Sequence, residues 1–255
     1  MISFRLKEEI QKNLQDKKQT ILFLNRRGYS NFLMCRDCGY VFQCKNCNIS
    51  LTYHKFDNKL KCHYCGFEKA VPKNCENCGS PKVKYFGTGT QKLEEEVHKL
   101  FPDATTIRMD NDTVTKKNSH EDILNRFKNE KIDLLIGTQM IVKGHHFPEV
   151  TLVGSVAADG ILNMEDFRAP ERTFQTLVQV AGRAGRTEPG RVIIQTYNPD
   201  HYAIIHSQMQ DYDAFYKTEI PLRKMLKYPP FCDIILIRFQ GQDIQELQKA
   251  ARNSI

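Results

Sequence analysis

The sequence predicts an α/β protein: a parallel-sheet lobe, split by a small insert that metal holds together, and followed by the opening of a further α+β unit. Three observations carry this reading. Short apolar runs alternate with amphipathic segments of helical period, the pattern of βαβ units whose sheet is covered on both faces. Eight of the nine cysteines stand in four Cys-x-x-Cys pairs between Cys35 and Cys78. The alternation changes character near residue 208.

Taken in order, Phe4, Leu6, Ile10 and Leu14 recur at helical spacing across 4–17, and "QTILFLN" (19–25) reads as a buried strand. Residues 32–82 are rich in Cys, Asn, Lys and aromatics with little periodicity, and read as an insert held by metal rather than by a core. Beyond it come a helix at 91–101, a strand at 104–109, a helix at 120–129, strands at 132–137 and 150–159, a helix at 170–184 and a strand at 190–197. "DYDAFYKTEIPLRKML" (211–226) reads as a helix interrupted at Pro221. "YPPF" ends it, "CDIILIRF" (232–239) reads as a strand, and 243–254 as a helix. The domain division is therefore 1–31 with 83–207 for the lobe, 32–82 for the insert, and 208–255 for the start of a C-terminal domain left incomplete.

A chain of 255 residues, 40% hydrophobic, can bury one large core. Its longest apolar run, "VTLVGSVAA" (150–158), is too short to span a membrane, and the charged N-terminal stretch is no signal peptide. No membrane association and a cytoplasmic location are expected. The net charge of +7 favours a polyanionic partner, weakly. Strict Cys-x-x-Cys pairing favours metal thiolates in a reducing compartment over disulfides. Cys232 stands apart, in what reads as a buried strand.

The cysteine spacing is C-x2-C-x5-C-x2-C-x14-C-x2-C-x9-C-x2-C. A Cys-x-x-Cys turn aims two thiolates at one point, so two turns close a tetrahedron around zinc. Gly39, Gly66 and Gly79 follow the second cysteine of three pairs, where a knuckle turn is easiest without a Cβ. Four cysteines per ion leave no open coordination position, so the two Zn²⁺ are structural. Sequential, crossed and nested pairings are all possible. Nesting is preferred: Cys44, Cys47, Cys62 and Cys65 would flank a hairpin of ribbon spacing, while Cys35, Cys38, Cys75 and Cys78 would close the base of the insert. The insert also interleaves Lys45, Lys55, Lys59, Lys61, Lys69 and Lys73 with Tyr40, Phe42, Tyr53, Phe56 and Tyr64. Such mixing suits phosphate contact and base stacking, and equally suits a solvated lysine surface over a small aromatic core.

Three stretches read as phosphate-directed. "QVAGRAGR" (179–186) closes a helix with two Gly-Arg steps, so the guanidinium groups of Arg183 and Arg186 can meet a nucleotide γ-phosphate; taken alone, the stretch equally suits an ordinary Gly-terminated helix with two solvated arginines. "IGTQMIVKGHHFPEV" (136–150) is a strand-end loop containing Thr138, Lys143 and Gly144. "YFGTGTQKLEEE" (85–96) is a Gly/Thr loop opening a helix. The last lacks the Gly-Lys-Ser/Thr ending of a P-loop.

In combination these motifs are specific. "QVAGRAGR" resembles motif VI, and "GTQMIVKG" motif V, of superfamily 2 helicases. With "LFLNRRGYSNFLMCRDCG", the eight-cysteine insert with its "CNISLTYH", "YFGTGTQKLEEE" and "FYKTEIPLRKMLKYPPF", nearly the whole chain resembles the primosomal protein N′ (PriA) family of bacterial replication-restart helicases. The resemblance implies a RecA-like second helicase lobe carrying a two-zinc module with nested ligands, in a nucleoid-associated ATP-dependent 3′→5′ helicase. It implies catalytic roles for Gln179, Arg183 and Arg186, nucleotide contact by the two arginines and Gly144, and DNA contact by Thr90, Thr138 and Lys143. His146 stands where an acid near the ribose is common, so that role does not carry over. ATP and Mg²⁺ are implied for the full-length enzyme. Implied partners are branched forks and single-stranded DNA, ATP held by a first lobe, primosome proteins and single-stranded DNA-binding protein. No Walker A and no DExH sequence is present, so these residues alone are expected to lack ATPase. The alternative is a zinc-stabilised DNA- or protein-binding module without motor activity.

Overall fold

Strand β1 (Gln19–Phe23) is buried along its whole length and lies at the centre of a parallel sheet. It pairs on one side with β8 (Leu134–Gly137) and on the other with β9 (Val150–Ser155). Outside these lie β7 (Thr106–Met109) and β10 (Arg191–Ile194), giving the order β10-β9-β1-β8-β7 among the described residues. The computed structural model describes residues 1–24, 32–54, 56–86, 89–110, 113–114, 119–138, 141, 147–185, 189–235, 237 and 244–253.

Alternate residues of a strand face opposite sides of the sheet, and β1 shows what each side buries. Ile21 and Phe23 join a core with Leu124 and Phe127 of helix α3 (Ser119–Asn129) and Val180 of helix α5 (Ala169–Ala181). Leu22 and Leu24 join a second core with Leu6 and Ile10 of α1 (Phe4–Gln15) and Leu93 and Val97 of α2 (Thr90–Leu100). Helices therefore cover both faces, as the apolar strands require. The helix ends follow local chemistry. Ser3 caps α1 by accepting from the Leu6 amide, and Pro170 opens α5, where a missing N–H is harmless.

The strands are shorter than the sequence predicts: β7 and β8 begin two residues late, and β9 and β10 end early. Residues 156–158 leave β9 and run into the one-turn helix α4 (Asp159–Leu162), which the reading of 150–159 as a single strand missed. A further helix, α6 (Tyr202–Met209), was also unread; its Ala203 packs with Leu162, Phe174 and Phe215. Phe215 belongs to α7 (Tyr212–Met225) and stacks on Phe174 of α5, ring centroids 4.5 Å apart.

The chain divides into two compact units, Met1–Tyr216 and Lys217–Ile255. Two readings of the C-terminal region need correction. Helix α7 runs through Pro221 without interruption, at the expense of the bond its missing N–H would have made. No strand forms among the described residues of 232–239, where Ile234, Ile235 and Ile237 are exposed and find no neighbouring strand. Cys232 is accordingly half-buried, its sulfur close to the Lys227 carbonyl. Helix α8 (Ile244–Arg252) follows. Among the described residues no helix is long and apolar enough to cross a membrane.

The insert leaves the carboxyl end of β1. Its two ends run side by side, β2 (Leu33–Cys35) pairing antiparallel with β6 (Val83–Tyr85). Between them β3 (Thr52–His54), β4 (Lys59–Lys61) and β5 (Glu68–Ala70) form a small antiparallel sheet over a core of Phe42, Ile49, Leu51 and Leu60, so the insert has an apolar core of its own and the expectation that metal alone would hold it is corrected.

Buried polar side chains tie the lobe together. The Gln19 amide donates to the carbonyls of Phe127 (2.7 Å) and Ile132 (2.9 Å), fixing β1 to the α3–β8 turn. Replacing Gln19 with Leu orphans both carbonyls and should lower the unfolding free energy by about 2–4 kcal/mol, read as a lower denaturant midpoint at unchanged slope.

Candidate metal centres and functional edges

The four Cys-x-x-Cys turns share one backbone circuit. In each, the first cysteine's N–H bonds to the carbonyl five residues on: Cys35 to Tyr40, Cys44 to Ile49, Cys62 to Phe67, Cys75 to Ser80. Its carbonyl in turn accepts from the N–H four residues on: Gly39, Asn48, Gly66 and Gly79. That fourth residue takes a left-handed backbone, which glycine enters freely and asparagine tolerates. Asn48 (φ 52°) therefore does in the second turn what glycine does in the others. The first cysteine of every turn is buried and the second more open.

The structure brings the cysteines together in the nested arrangement. Cys35, Cys38, Cys75 and Cys78 form one set, and Cys44, Cys47, Cys62 and Cys65 the other, with the sulfurs of each set within 4.8 Å of one another. Sulfur pairs lie 3.6 Å apart (Cys35–Cys78, Cys38–Cys75) and 3.5 Å apart (Cys44–Cys65), near the edge of about 3.8 Å that a ZnS₄ tetrahedron has. The sets also match in detail. Asn77, in one turn of the first set, donates to Cys38 of its partner turn, and Asn46 donates to Cys65 in the same way in the second. The repeated Cys-x-Asn-Cys sequence was the available signal for this.

Backbone N–H groups favour the ionised thiol. The amide of Tyr40 leads in holding Cys38 down to about 6, and that of Phe67 does the same for Cys65, also at about 6. Burial instead pushes Cys62 up to about 11 and raises Cys47 further. Four thiols this close cannot all ionise near neutral pH unless a cation shares them. The donor set and its spacing thus fit two zinc ions in closed, structural sites.

The lysine–aromatic interleaving mostly resolves inside the insert. Lys59 pairs with Glu68 (2.8 Å), Lys61 with Asp57 (2.5 Å) and Glu68 (3.1 Å), and Lys69 with Glu76. The ammonium of Lys45 lies 5.1 Å from the centre of the Phe67 ring. Phe42 is buried, and Tyr40 and Tyr53 pack beside it. Phe56, in the β3–β4 turn, is fully exposed, and Tyr64 is also exposed. Lys55 lies outside the described residues.

The insert also rests on the lobe. Glu165, between α4 and α5, accepts from the Thr52 hydroxyl and from the His63 backbone N–H (2.9 Å). Tyr197, after β10, lies against Gly39 so closely that a Cβ there would come within 2.3 Å of the tyrosine Cβ. Asp159 holds this second loop through the Tyr197 amide, the Thr196 hydroxyl and the Asn198 amide; burial pushes its carboxyl up.

The phosphate-directed residues fall on opposite edges of the sheet. Thr138 follows the carboxyl end of β8 and is buried. Thr90 opens α2 but is fully buried, and its hydroxyl donates to the buried Asp110 beyond the end of β7. That carboxylate also takes the Arg108 guanidinium, on the same oxygen at 3.2 Å. Arg183 lies at the other edge. It follows the end of α5, and the next turn joins the amino end of β9, Gly185 N–H to the Val150 carbonyl at 3.3 Å. Arg183 is half-buried and Gln179, one helical turn earlier, is exposed. Lys143, Gly144, His146 and Arg186 lie outside the described residues.

The Cys-rich region domain of PriA DNA helicases matches residues 44–69, and the helicase conserved C-terminal domain matches 69–188. The replication restart protein PriA of Bacillus subtilis is 51% identical over 245 residues, which are 96% of this chain and 30% of that protein. PriA of Synechocystis is 49% identical, covering 91% of this chain and 29% of its own length. PriA of Haemophilus influenzae is 43% identical, covering 94% and 33%. The chain spans about 30% of the length of these relatives.

Metal analysis should return two zinc ions per chain. Replacing Cys44 and Cys47 with serine should release one and leave the other on Cys35, Cys38, Cys75 and Cys78; loss of both would show that the sites do not load separately. Gly39→Ala should destabilise the zinc-loaded protein by more than Gly66→Ala. Both take a strained left-handed backbone worth about 1–2 kcal/mol, but only the first drives a Cβ into Tyr197. Thermal unfolding of the two variants side by side checks this.

Proposed function

The chain belongs to the PriA family, and from that premise we propose that it forms the second motor lobe and zinc module of an ATP-dependent 3′→5′ DNA helicase acting at stalled or branched forks. The observation that supports this best is the two-edged sheet. The zinc module and Thr138 lie toward the carboxyl edge, and Arg183 toward the amino edge, so one lobe can meet DNA and nucleotide at the same time.

In this reading Arg183 and Arg186 meet the negative charge on the γ-phosphate as it transfers, a contribution of about 10³–10⁵ in rate for such arginines. Gln179 lies one turn back on the same helix and would orient groups beside them, with Gly144 near the nucleotide. The sequence holds neither the phosphate cradle nor the magnesium ligands, so ATP and Mg²⁺ would be held by a first lobe and completed by these arginines. Thr138, Lys143 and the amides opening α2 are the proposed contacts to a DNA backbone; α2 has no side-chain cap competing for its first N–H groups. The zinc ions supply stiffness, not chemistry. Primosome proteins and single-stranded DNA-binding protein are the proposed partners, in a bacterial cytoplasm whose reducing state suits eight thiolates.

The alternative, a binding module without motor activity, draws on the exposed Phe56 at the tip of the β3–β4 turn, which would stack on a base in either reading. The arginines separate the two. In the full-length protein, Arg186→Ala should lower DNA-stimulated ATP turnover by about 10³-fold or more while DNA affinity stays within about twofold; turnover near wild type would exclude the motor reading. The 255-residue chain by itself should hydrolyse no ATP, with or without DNA, in a phosphate-release assay.

A further inference from the structure

The contact between Glu165 and the zinc ribbon has a specific position along the lobe. Its carboxylate takes the Thr52 hydroxyl from β3 and the His63 N–H from the turn that carries Cys62 and Cys65, and the His63 ring lies 4.0 Å away. Beside it the Phe167 amide reaches the Tyr64 hydroxyl, the same turn again. The lobe side of this contact is stiff. Asp166 accepts from the backbone and guanidinium of Arg168 (2.9 and 3.0 Å), and Arg172 of α5 lies 3.0 Å from it. Charge-assisted hydrogen bonds of this kind are about twice as strong as neutral ones.

That turn is the head of α5. The helix is thirteen residues long, about 20 Å at 1.5 Å per residue, and ends at Gly182 and Arg183 beside the amino end of β9. Along its length it is packed, with Leu177 and Val180 in the cores and Phe174 stacked on Phe215. One rigid rod thus has the ribbon fastened to its head and the arginine at its tail.

We propose that Glu165 is a positioning residue that latches the outer zinc ribbon to the head of α5, so that the ribbon and Arg183 move as one body. The proposal rests on the motor reading for its consequence: the latch keeps strand separation at the ribbon in step with ATP turnover at the arginine. The contact itself does not depend on that reading.

The test uses the full-length protein with Glu165→Ala and Glu165→Gln. Glutamine keeps an acceptor for the His63 N–H and a partner for the Thr52 hydroxyl; alanine keeps neither. In Glu165→Ala, amide exchange at residues 52–54 and 63–67 should speed up about tenfold or more, the loss of two hydrogen bonds to a charged acceptor. Zinc content should remain two per chain and DNA-stimulated ATP turnover within about threefold of wild type, while duplex unwound per ATP falls about tenfold. Glu165→Gln should restore both exchange and unwinding toward wild type. Unchanged exchange in Glu165→Ala, or equal opening by Gln and Ala, overturns the latch. Opened exchange with unwinding per ATP unchanged overturns the coupling. If the wild-type protein turned over no ATP, the motor reading would fall, and the exchange result would still decide the latch.

Discussion

The lobe can carry a large insert only because the two ends of that insert are held side by side. Strands β2 and β6 pair where the chain leaves β1 and where it returns toward α2, and the first cysteine set draws Cys35 and Cys38 onto Cys75 and Cys78 at the same place. To the sheet, the insertion is then little more than a short connection, since the entropy of closing the long loop is met within the insert itself. The second cysteine set does the same one level further in, around the β3–β4–β5 sheet. Nesting is what makes this work. Pairing neighbouring turns would have left the ends of the insert to the short β2–β6 ladder alone.

The sheet also separates tasks in space. Parallel strands end together, so everything that follows a strand collects on one edge and everything that precedes one collects on the other. The insert follows β1 and Thr138 follows β8, while the loop after α5 returns to the start of β9. Helix α5 is the direct mechanical path between these edges, and both of its ends are fixed by polar contacts rather than by packing alone.

Much of this is legible in the sequence, for a physical reason. A strand covered on both faces is largely apolar, so β1, β8 and β9 announce themselves, and two thiols three positions apart have few uses besides a metal. The nested pairing is legible because only it joins the ends of the insert. What is not legible is any partnership made across the fold. Nothing in "GTGTQ" reveals that the Thr90 hydroxyl will meet the buried Asp110. Lys59, Lys61 and Lys69 read as part of a free basic surface, because the chain alone does not show that Glu68, Asp57 and Glu76 will fold against them. Glu165 is an ordinary acid in "NMEDF", and only the docked ribbon gives it two donors. The Pro221 misreading is different in kind: a proline lowers the odds of a helix without forbidding one, and here the helix prevailed.

The four cysteine turns share a circuit made only of backbone groups and sulfur. Besides the residue with the left-handed backbone, the side chains between the cysteines add to it only through Asn46 and Asn77, each donating to a sulfur of the partner turn, and Asn48 shows that even the left-handed position is not strictly glycine's. The module therefore separates its architecture from its vocabulary. Metal, main chain and a small apolar core hold the shape, so outward side chains such as the exposed Phe56 can be rewritten without the shape being renegotiated.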